Sequence, residues 1–130
     1  MKLGYKLQKK IYDISLSLYN MPDTRNKHFS FLVRRNKIIS IGWNKAFQTH
    51  PIAAKFGHRF NCIHSELDVI NNFPYPFRML PLYTLINVRV KYKSLRISHP
   101  CLKCINMLKF FGLKDVIYST DQGYMICYLE

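Results

Sequence analysis

Apolar residues near the start of the chain recur at intervals of three and four. From Leu3 they fall at Leu7, Ile11, Ile14 and Leu18, and lysines occupy other positions on the helical wheel. This spacing is the period of an amphipathic α-helix, in which one stripe faces the core. The pattern predicts a first helix that ends near Asn20-Met21-Pro22, because proline cannot continue a helix.

The next patterns are typical of strands. Residues 29–33 and 38–43 are rich in β-branched and aromatic residues and lie four residues apart, which predicts a hairpin. Residues 82–90 are apolar enough for a strand that is buried on both faces. Residues 116–119 and 124–129 predict two last strands, and the short link between them requires antiparallel neighbours.

Two further helices are predicted between these strands. One begins close to His64 and ends near Asn71-Asn72, before Pro74 and Pro76. The other occupies residues 101–111, with Gly112 as its stop and Ile105, Leu108 and Phe111 as its buried stripe. The order of elements favours a single α/β domain over residues 1–130, with a mixed sheet and helices packed on its faces.

The chemistry-bearing residues stand at the starts of these two helices. His64-Ser65-Glu66 opens one, and Pro100-Cys101-Leu102-Lys103-Cys104 opens the other, where Pro100 suits the first turn. Cysteines three apart face the same side of a helix, and the helix N-terminus favours the thiolate form that binds metal. One imidazole and two thiolates would be three ligands, which is the protein's share of a catalytic zinc site.

The HxE and PCxxC motifs resemble the signature of the zinc-dependent cytidine and nucleotide deaminase superfamily, whose members use activated water to attack a nucleobase. The likeness extends to Gly42-Trp43-Asn44 and Ser98-His99-Pro100-Cys101 and covers about residues 28–130. It implies the cytidine-deaminase-like fold: three α/β/α layers, a five-stranded mixed sheet and an antiparallel C-terminal hairpin.

The same resemblance implies a role for each motif residue. His64, Cys101 and Cys104 would bind Zn²⁺, which lowers the pKa of water to about 7. Glu66 would take a proton from water, deliver it to the ring nitrogen and help ammonia leave. The substrate-binding residues would be Asn44 and Trp43 for the sugar or base, and Ser65, Ser98 and His99 for the pyrimidine edge.

A structural zinc site is the alternative to a catalytic one. It needs a fourth protein ligand, for which the chain offers isolated His50, His58, His99 and Cys62. None of these stands at the customary spacing of a zinc finger. Glu66 would have no task in such a site.

The net charge of the chain helps to indicate the class of substrate. The chain has a net charge of +13, and residues 1–59 carry twelve basic and two acidic residues. Such a field attracts polyanions. Residues 45–63 are predicted to be a long loop in which cations and rings could hold phosphates and stack bases. The candidates for nucleic-acid binding are Lys45, Phe47, His50, Lys55, His58 and Arg59.

These observations favour a deaminase of cytosine in single-stranded polynucleotide, preferably DNA. The alternatives are a deaminase of free dCMP or cytidine, a tRNA adenosine deaminase, and a non-catalytic zinc-stabilised nucleic-acid-binding protein. The partner is therefore either single-stranded nucleic acid or a small nucleotide. We expect no membrane partner and a cytoplasmic location, since the chain has no long apolar run or signal-peptide core and its cysteines suit a reducing compartment.

Overall fold

The structure, a computed structural model, describes residues 3–20, 28–46, 51–57 and 62–129. The helices are α1 (Tyr5–Tyr19), α2 (Pro51–Lys55), α3 (Ser65–Asn71) and α4 (Leu102–Phe110), and a 3₁₀ helix spans Phe77–Leu82. The strands are β1 (His28–Arg34), β2 (Lys37–Trp43), β3 (Lys45–Ala46), β4 (Cys62–Ile63), β5 (Thr84–Lys91), β6 (Ser94–Arg96), β7 (Asp115–Thr120) and β8 (Gly123–Tyr128).

The main sheet is mixed, and its strand order is β2-β1-β5-β7-β8, with β6 paired to the end of β5. β5 and β7 run parallel, and the other pairs are antiparallel, including the C-terminal hairpin of β7 and β8. The predicted α/β class and mixed sheet are confirmed. The sheet has six strands, one more than the five expected, because the chain folds back on β5 for three residues before it reaches the cysteines.

Helices cover both faces of this sheet, which makes three layers. Side chains alternate along each strand. Phe29 and Phe31 of β1 pack with the apolar stripe of α1, whereas Leu32 packs with Leu67 of α3 and Leu108 of α4. The predicted three-layer α/β/α arrangement is confirmed. One face of the sheet therefore carries α1, and the other carries α3 and α4.

The contact between α3 and β2 is unusually close. A Cβ atom on Gly42 would lie 2.3 Å from the backbone nitrogen of Val69, so only glycine allows this approach. Ser40 Oγ donates a hydrogen bond of 2.7 Å to the carbonyl oxygen of Val69. Asn72 Nδ2 donates one of 2.9 Å to the carbonyl oxygen of Ile41. These contacts hold α3 in one position on the end of β2.

The two-residue strands β3 and β4 pair with each other outside the main sheet. With α2 between them, they give some regular structure to residues 45–63, which the sequence predicted as a loop. Since β4 leads directly to His64, the ladder ties the end of β2 to the start of α3. No membrane-crossing helix is found among the described residues, because none of their helices has the necessary length and apolar character.

The β5–β6 hairpin projects from the middle of the sheet. Its two turn residues, Tyr92 and Lys93, have φ angles of 50° and 64°. Positive φ at both positions is the geometry of a type I′ turn, which twists like the strands that it connects. Tyr12 of α1 donates a hydrogen bond from its hydroxyl to the carbonyl oxygen of Lys93, so the hairpin is anchored at its tip.

Candidate metal centre and its surroundings

One imidazole and two thiols meet where α3 and α4 begin. His64 Nδ1 lies 3.3 Å from Cys104 Sγ and 3.8 Å from Cys101 Sγ. One ligand atom from each of the three residues lies within 4.8 Å of the others, so the group could hold a metal ion. Tetrahedral zinc with these ligands would separate them by about 3.6 Å, given the usual zinc–sulfur and zinc–nitrogen bond lengths. The donor set and its spacing therefore fit zinc.

The start of α4 explains why the two sulfurs converge. Cys101 is the N-cap residue, with extended backbone angles, and its Sγ accepts the Cys104 N–H at 3.4 Å. The prediction that both sulfurs face one way is confirmed. The placement of Pro100 in the first turn is wrong, because the helix begins at Leu102 and Pro100 precedes the cap. Gly112 ends the helix as predicted, with a φ of 84° that glycine adopts without strain.

His64 occupies the corresponding N-cap position of α3. Its side chain does not cap the helix, since the ring is turned toward the sulfurs. Asn44 supplies the missing acceptor instead, because its Oδ1 accepts the Ser65 N–H at 2.9 Å. Asn44 therefore connects the end of β2 to the first turn of the helix that carries His64 and Glu66.

The three ligands are electrostatically coupled. The hydrogen bond from the Cys104 thiol, helped by His64 and by the Cys104 N–H, lowers the pKa of Cys101 to about 3. The same contact with the Cys101 sulfur, together with burial, raises the pKa of Cys104. The hydrogen bond to Cys101 also raises the pKa of His64. The low pKa favours the thiolate form of Cys101, which is the form that binds a metal ion.

Glu66 is buried beside the cluster. Its Oε1 accepts a hydrogen bond from Ser65 Oγ at 3.1 Å, and its Oε2 accepts one from Asn87 Nδ2 at 3.1 Å. The carboxylate is close enough to Cys104 and His64 to raise the pKa of both groups. A buried carboxylate is normally costly unless it is hydrogen-bonded, and here two donors hold it in place.

Three residues of this surrounding network were not identified from the sequence. Ser30 Oγ donates to Asn87 Oδ1 at 2.6 Å and lies 2.8 Å from Ser65 Oγ. His28 begins β1, and its Nδ1 lies 3.4 Å from Ser98 Oγ. The sequence signal that could have identified such residues is a polar side chain inside an otherwise apolar strand, as at Asn87.

Ser98 and His99 differ in their burial and in the direction of their side chains. Ser98 is buried, and its carbonyl oxygen accepts a long hydrogen bond of 3.5 Å from Asn87 Nδ2. His99 is exposed, its Nδ1 donates to the carbonyl oxygen of Pro100 at 2.8 Å, and its ring packs edge-on against Tyr118. The structure therefore places Ser98 in the network around Glu66, whereas the His99 ring turns toward Tyr118.

The other predicted substrate-binding residue, Trp43, lies at the end of β2. Its backbone N–H donates to Asp68 Oδ2 at 3.1 Å, which helps to hold α3. Its indole packs with the cluster on the α1 face, across the sheet from Glu66. The structure does not bring its side chain together with the metal ligands.

The candidates for nucleic-acid binding are described only in part. Lys55 lies in α2, with its Nζ 4.2 Å from the centroid of the Phe110 ring, a cation–π contact. Lys45 is described in its backbone alone, as the first residue of β3. The other four candidates, Phe47, His50, His58 and Arg59, lie outside the described residues.

Comparison with solved structures finds the dCMP deaminase from the cyanophage S-TIM5. Its apo form matches with a TM-score of 0.56 and 18% sequence identity, over 89% of this chain and 84% of that chain. Its complex with dCMP and dUMP matches with a TM-score of 0.56 and 17% identity, over 90% and 83%. The chain has the dCMP deaminase fold. Comparisons with protein-family models and with curated proteins give no match.

The fold that the two motifs implied is therefore confirmed. Because fold does not determine function, the case for a reaction depends on the residues at the site.

Proposed function

We propose that the chain is a zinc-dependent hydrolytic deaminase that converts the cytosine of a deoxycytidylate unit to uracil. The observation that carries the proposal is the position of Glu66, a buried carboxylate that two donors orient beside a His-Cys-Cys cluster. A histidine and two cysteines with an oriented, buried carboxylate beside them favour a catalytic site over a structural one, because a structural zinc site has no use for that carboxylate.

Zinc held by His64, Cys101 and Cys104 would supply the acidity that makes water a nucleophile near neutral pH. Glu66 would take a proton from that water and pass it to N3 of the cytosine ring as the new C4–O bond forms. It would then transfer the second proton of the water to the amino group. The C4–N bond breaks, and ammonia leaves with the amino hydrogens and the proton that it received.

The polar residues around Glu66 have separate tasks in this proposal. Ser65 and Asn87 keep both carboxylate oxygens directed and limit their motion between proton transfers. Asn44 uses its Oδ1 to hold Ser65. The group that it can offer to a substrate is therefore the Nδ2 donor, which suits an oxygen of the sugar.

Free dCMP is the substrate that we place first. The solved dCMP deaminase with the same fold was captured with dCMP and dUMP, and the fold match extends over nine-tenths of this chain. Extension of that substrate to this chain is part of the proposal.

Cytosine in single-stranded polynucleotide is the second candidate. The net charge of +13 favours it, because a strongly cationic surface attracts a polyanion. A base in a single strand needs no extraction from a duplex, which would cost a few kcal/mol.

Incubation of the zinc-loaded protein with separate substrates tests the proposal. We expect uracil from dCMP, and compare it with cytidine, single-stranded DNA, single-stranded RNA and duplex DNA. Glu66→Gln, which keeps the shape of the side chain, should bind zinc equally well and form no uracil. Conversion of the oligonucleotides without dCMP would favour the second candidate. Activity retained in Glu66→Gln would refute the mechanism.

A further inference from the structure

A row of basic side chains crosses the sheet next to the candidate site. Asn87 points toward Glu66, so Arg89, two residues further along β5, lies on the same face. The residue opposite Arg89 on β1 is His28, and the residue opposite it on β6 is Arg96. Residues directly opposite in a ladder share a face. His28, Arg89 and Arg96 therefore stand side by side on the face that carries Glu66.

Polar contacts connect this row to the site. Asn87 Nδ2 reaches both Glu66 Oε2, at 3.1 Å, and the Ser98 carbonyl oxygen, at 3.5 Å. Ser98 Oγ is 3.4 Å from His28 Nδ1. Arg89 is displaced from Asn87 by two residues, or about 7 Å along the strand. A pyrimidine held next to Glu66 would thus have the two arginines on one side.

The row is unfavourable for the protein alone. Like charges directly opposite each other destabilise a sheet, and Arg89 and Arg96 are such a pair. In the described part of the chain the ion pair joins Lys9 and Asp13 on α1, so no described carboxylate forms an ion pair with either arginine. An anionic ligand would relieve the repulsion.

The backbone of the row is held in place by one buried serine of β7. Ser119 Oγ accepts the Arg89 N–H at 3.0 Å and donates to the Arg96 carbonyl oxygen at 2.6 Å. The Ser119 carbonyl oxygen accepts the Ser98 N–H at 2.9 Å. The strands that carry the arginines are therefore ordered before any ligand binds, which reduces the entropic cost of binding.

We infer that Arg89 and Arg96, with His28 beside them, bind the 5′-phosphate of the deoxycytidylate unit, an inference that rests on the proposed function. The planar guanidinium fork matches phosphate oxygens in a bidentate manner. The shared chemistry is a phosphate on the 5′ side of the sugar, as a monoester in dCMP or as a diester in a single strand. Selection for phosphate then resides in the β5–β6 hairpin, outside residues 45–63.

Equilibrium binding tests this subsite without turnover. In the zinc-loaded Glu66→Gln background, calorimetry would compare dCMP, cytidine and a short single-stranded DNA. Arg89→Gln with Arg96→Gln should weaken binding of dCMP, of the DNA or of both by about tenfold or more, and change cytidine binding less than about twofold. Arg78→Gln makes the same charge change at an exposed position before β5 and should change none of them by more than about twofold.

The ligand whose binding is weakened more identifies the type of phosphate that the arginines bind. A larger loss for dCMP assigns the subsite to a monoester, and a larger loss for the DNA assigns it to a polynucleotide backbone. Unchanged binding of both, an equal loss for cytidine, or no binding of dCMP and DNA by the parent protein would overturn the inference. The double variant should melt at the same temperature as the parent or higher, because a repulsive pair is removed. Failure of the wild-type protein to form uracil would refute the reaction separately.

Discussion

The side-chain amide of Asn87 donates a hydrogen bond of 3.1 Å to Glu66 Oε2, although the two residues lie on different elements of the site. Ser30 determines the orientation of this amide, because it donates a hydrogen bond to Asn87 Oδ1 and so turns Nδ2 toward the carboxylate. Both residues are buried in the sheet. The strands that α3 packs on therefore position the Glu66 carboxylate, which moves the protons in the proposed reaction.

Asn87→Asp should alter proton transfer by Glu66. A second carboxylate at this distance repels the first, so the pair would keep one proton to a higher pH than a lone carboxyl group does. We expect kcat for dCMP at pH 7 to fall by about tenfold or more, and the acidic limb of the pH–kcat profile to move to higher pH. Zinc content should not change.

Asn87→Ala is the control for the loss of the hydrogen bond without added charge. It should lower kcat but should not move the acidic limb upward as Asn87→Asp does. Coincident pH profiles for the two variants would mean that Asn87 only supports the fold.

Sequence periodicity predicted most of the fold because the strands and helices each bury a regular stripe. β6 was not predicted, since its three residues include the exposed Ser94 and Arg96 and it pairs only through the hairpin turn. The candidate zinc ligands were predicted because they stand at fixed positions in the HxE and PCxxC motifs. Asn87 and His28 were not, because their place at the site depends on cross-strand register, which local patterns do not contain.

Gly42→Ala should destabilise the protein and disturb the site together. The added Cβ would lie 2.3 Å from Val69 N and 2.8 Å from the Asp68 carbonyl carbon, and backbone atoms cannot move away without displacing α3. We expect a loss of about 3 kcal/mol or more in the free energy of unfolding, measured by denaturant titration. Because His64 is the residue directly before α3, zinc affinity should fall as well.

Gly4→Ala is the matched control for that substitution. A Cβ on Gly4 would meet nothing within 4 Å. Gly4 is the N-cap residue of α1, so a small effect on that helix is expected. Its effect should stay below about 1 kcal/mol. Equal stability of the two variants would contradict the close contact between β2 and α3.

Zinc should stabilise the folded chain. His64, Cys101 and Cys104 come from the starts of two helices, so a bound ion would connect α3 to α4. Zinc at about a hundred times its Kd should add roughly 2.7 kcal/mol, and a chelator should reverse the rise in melting temperature. Affinity should also increase with pH, because the ligands must lose protons to bind metal.

The cysteines provide the control for this measurement. Cys104→Ser should abolish most of the zinc-dependent rise in melting temperature, whereas Cys127→Ser should retain it, since Cys127 lies on β8 outside the cluster. An equal rise in both variants would show that zinc binds elsewhere.

Tyr124→Phe should increase stability at high pH. Burial raises the pKa of Tyr124 to about 12, and its hydroxyl is buried without a hydrogen-bond partner in the described part of the chain. Because the unfolded chain ionises near its ordinary pKa of about 10, the tyrosine's contribution is fully present below that pH and is lost as pH rises toward 12. From pH 9 to pH 11 the wild-type protein should lose about 1 kcal/mol more unfolding free energy than the variant.

Denaturant titrations at the two pH values measure this difference. Tyr128→Phe, at a residue that is 69% exposed, should not reproduce it. A parallel fall in Tyr124→Phe and wild-type protein would mean that the hydroxyl is solvated in the folded state.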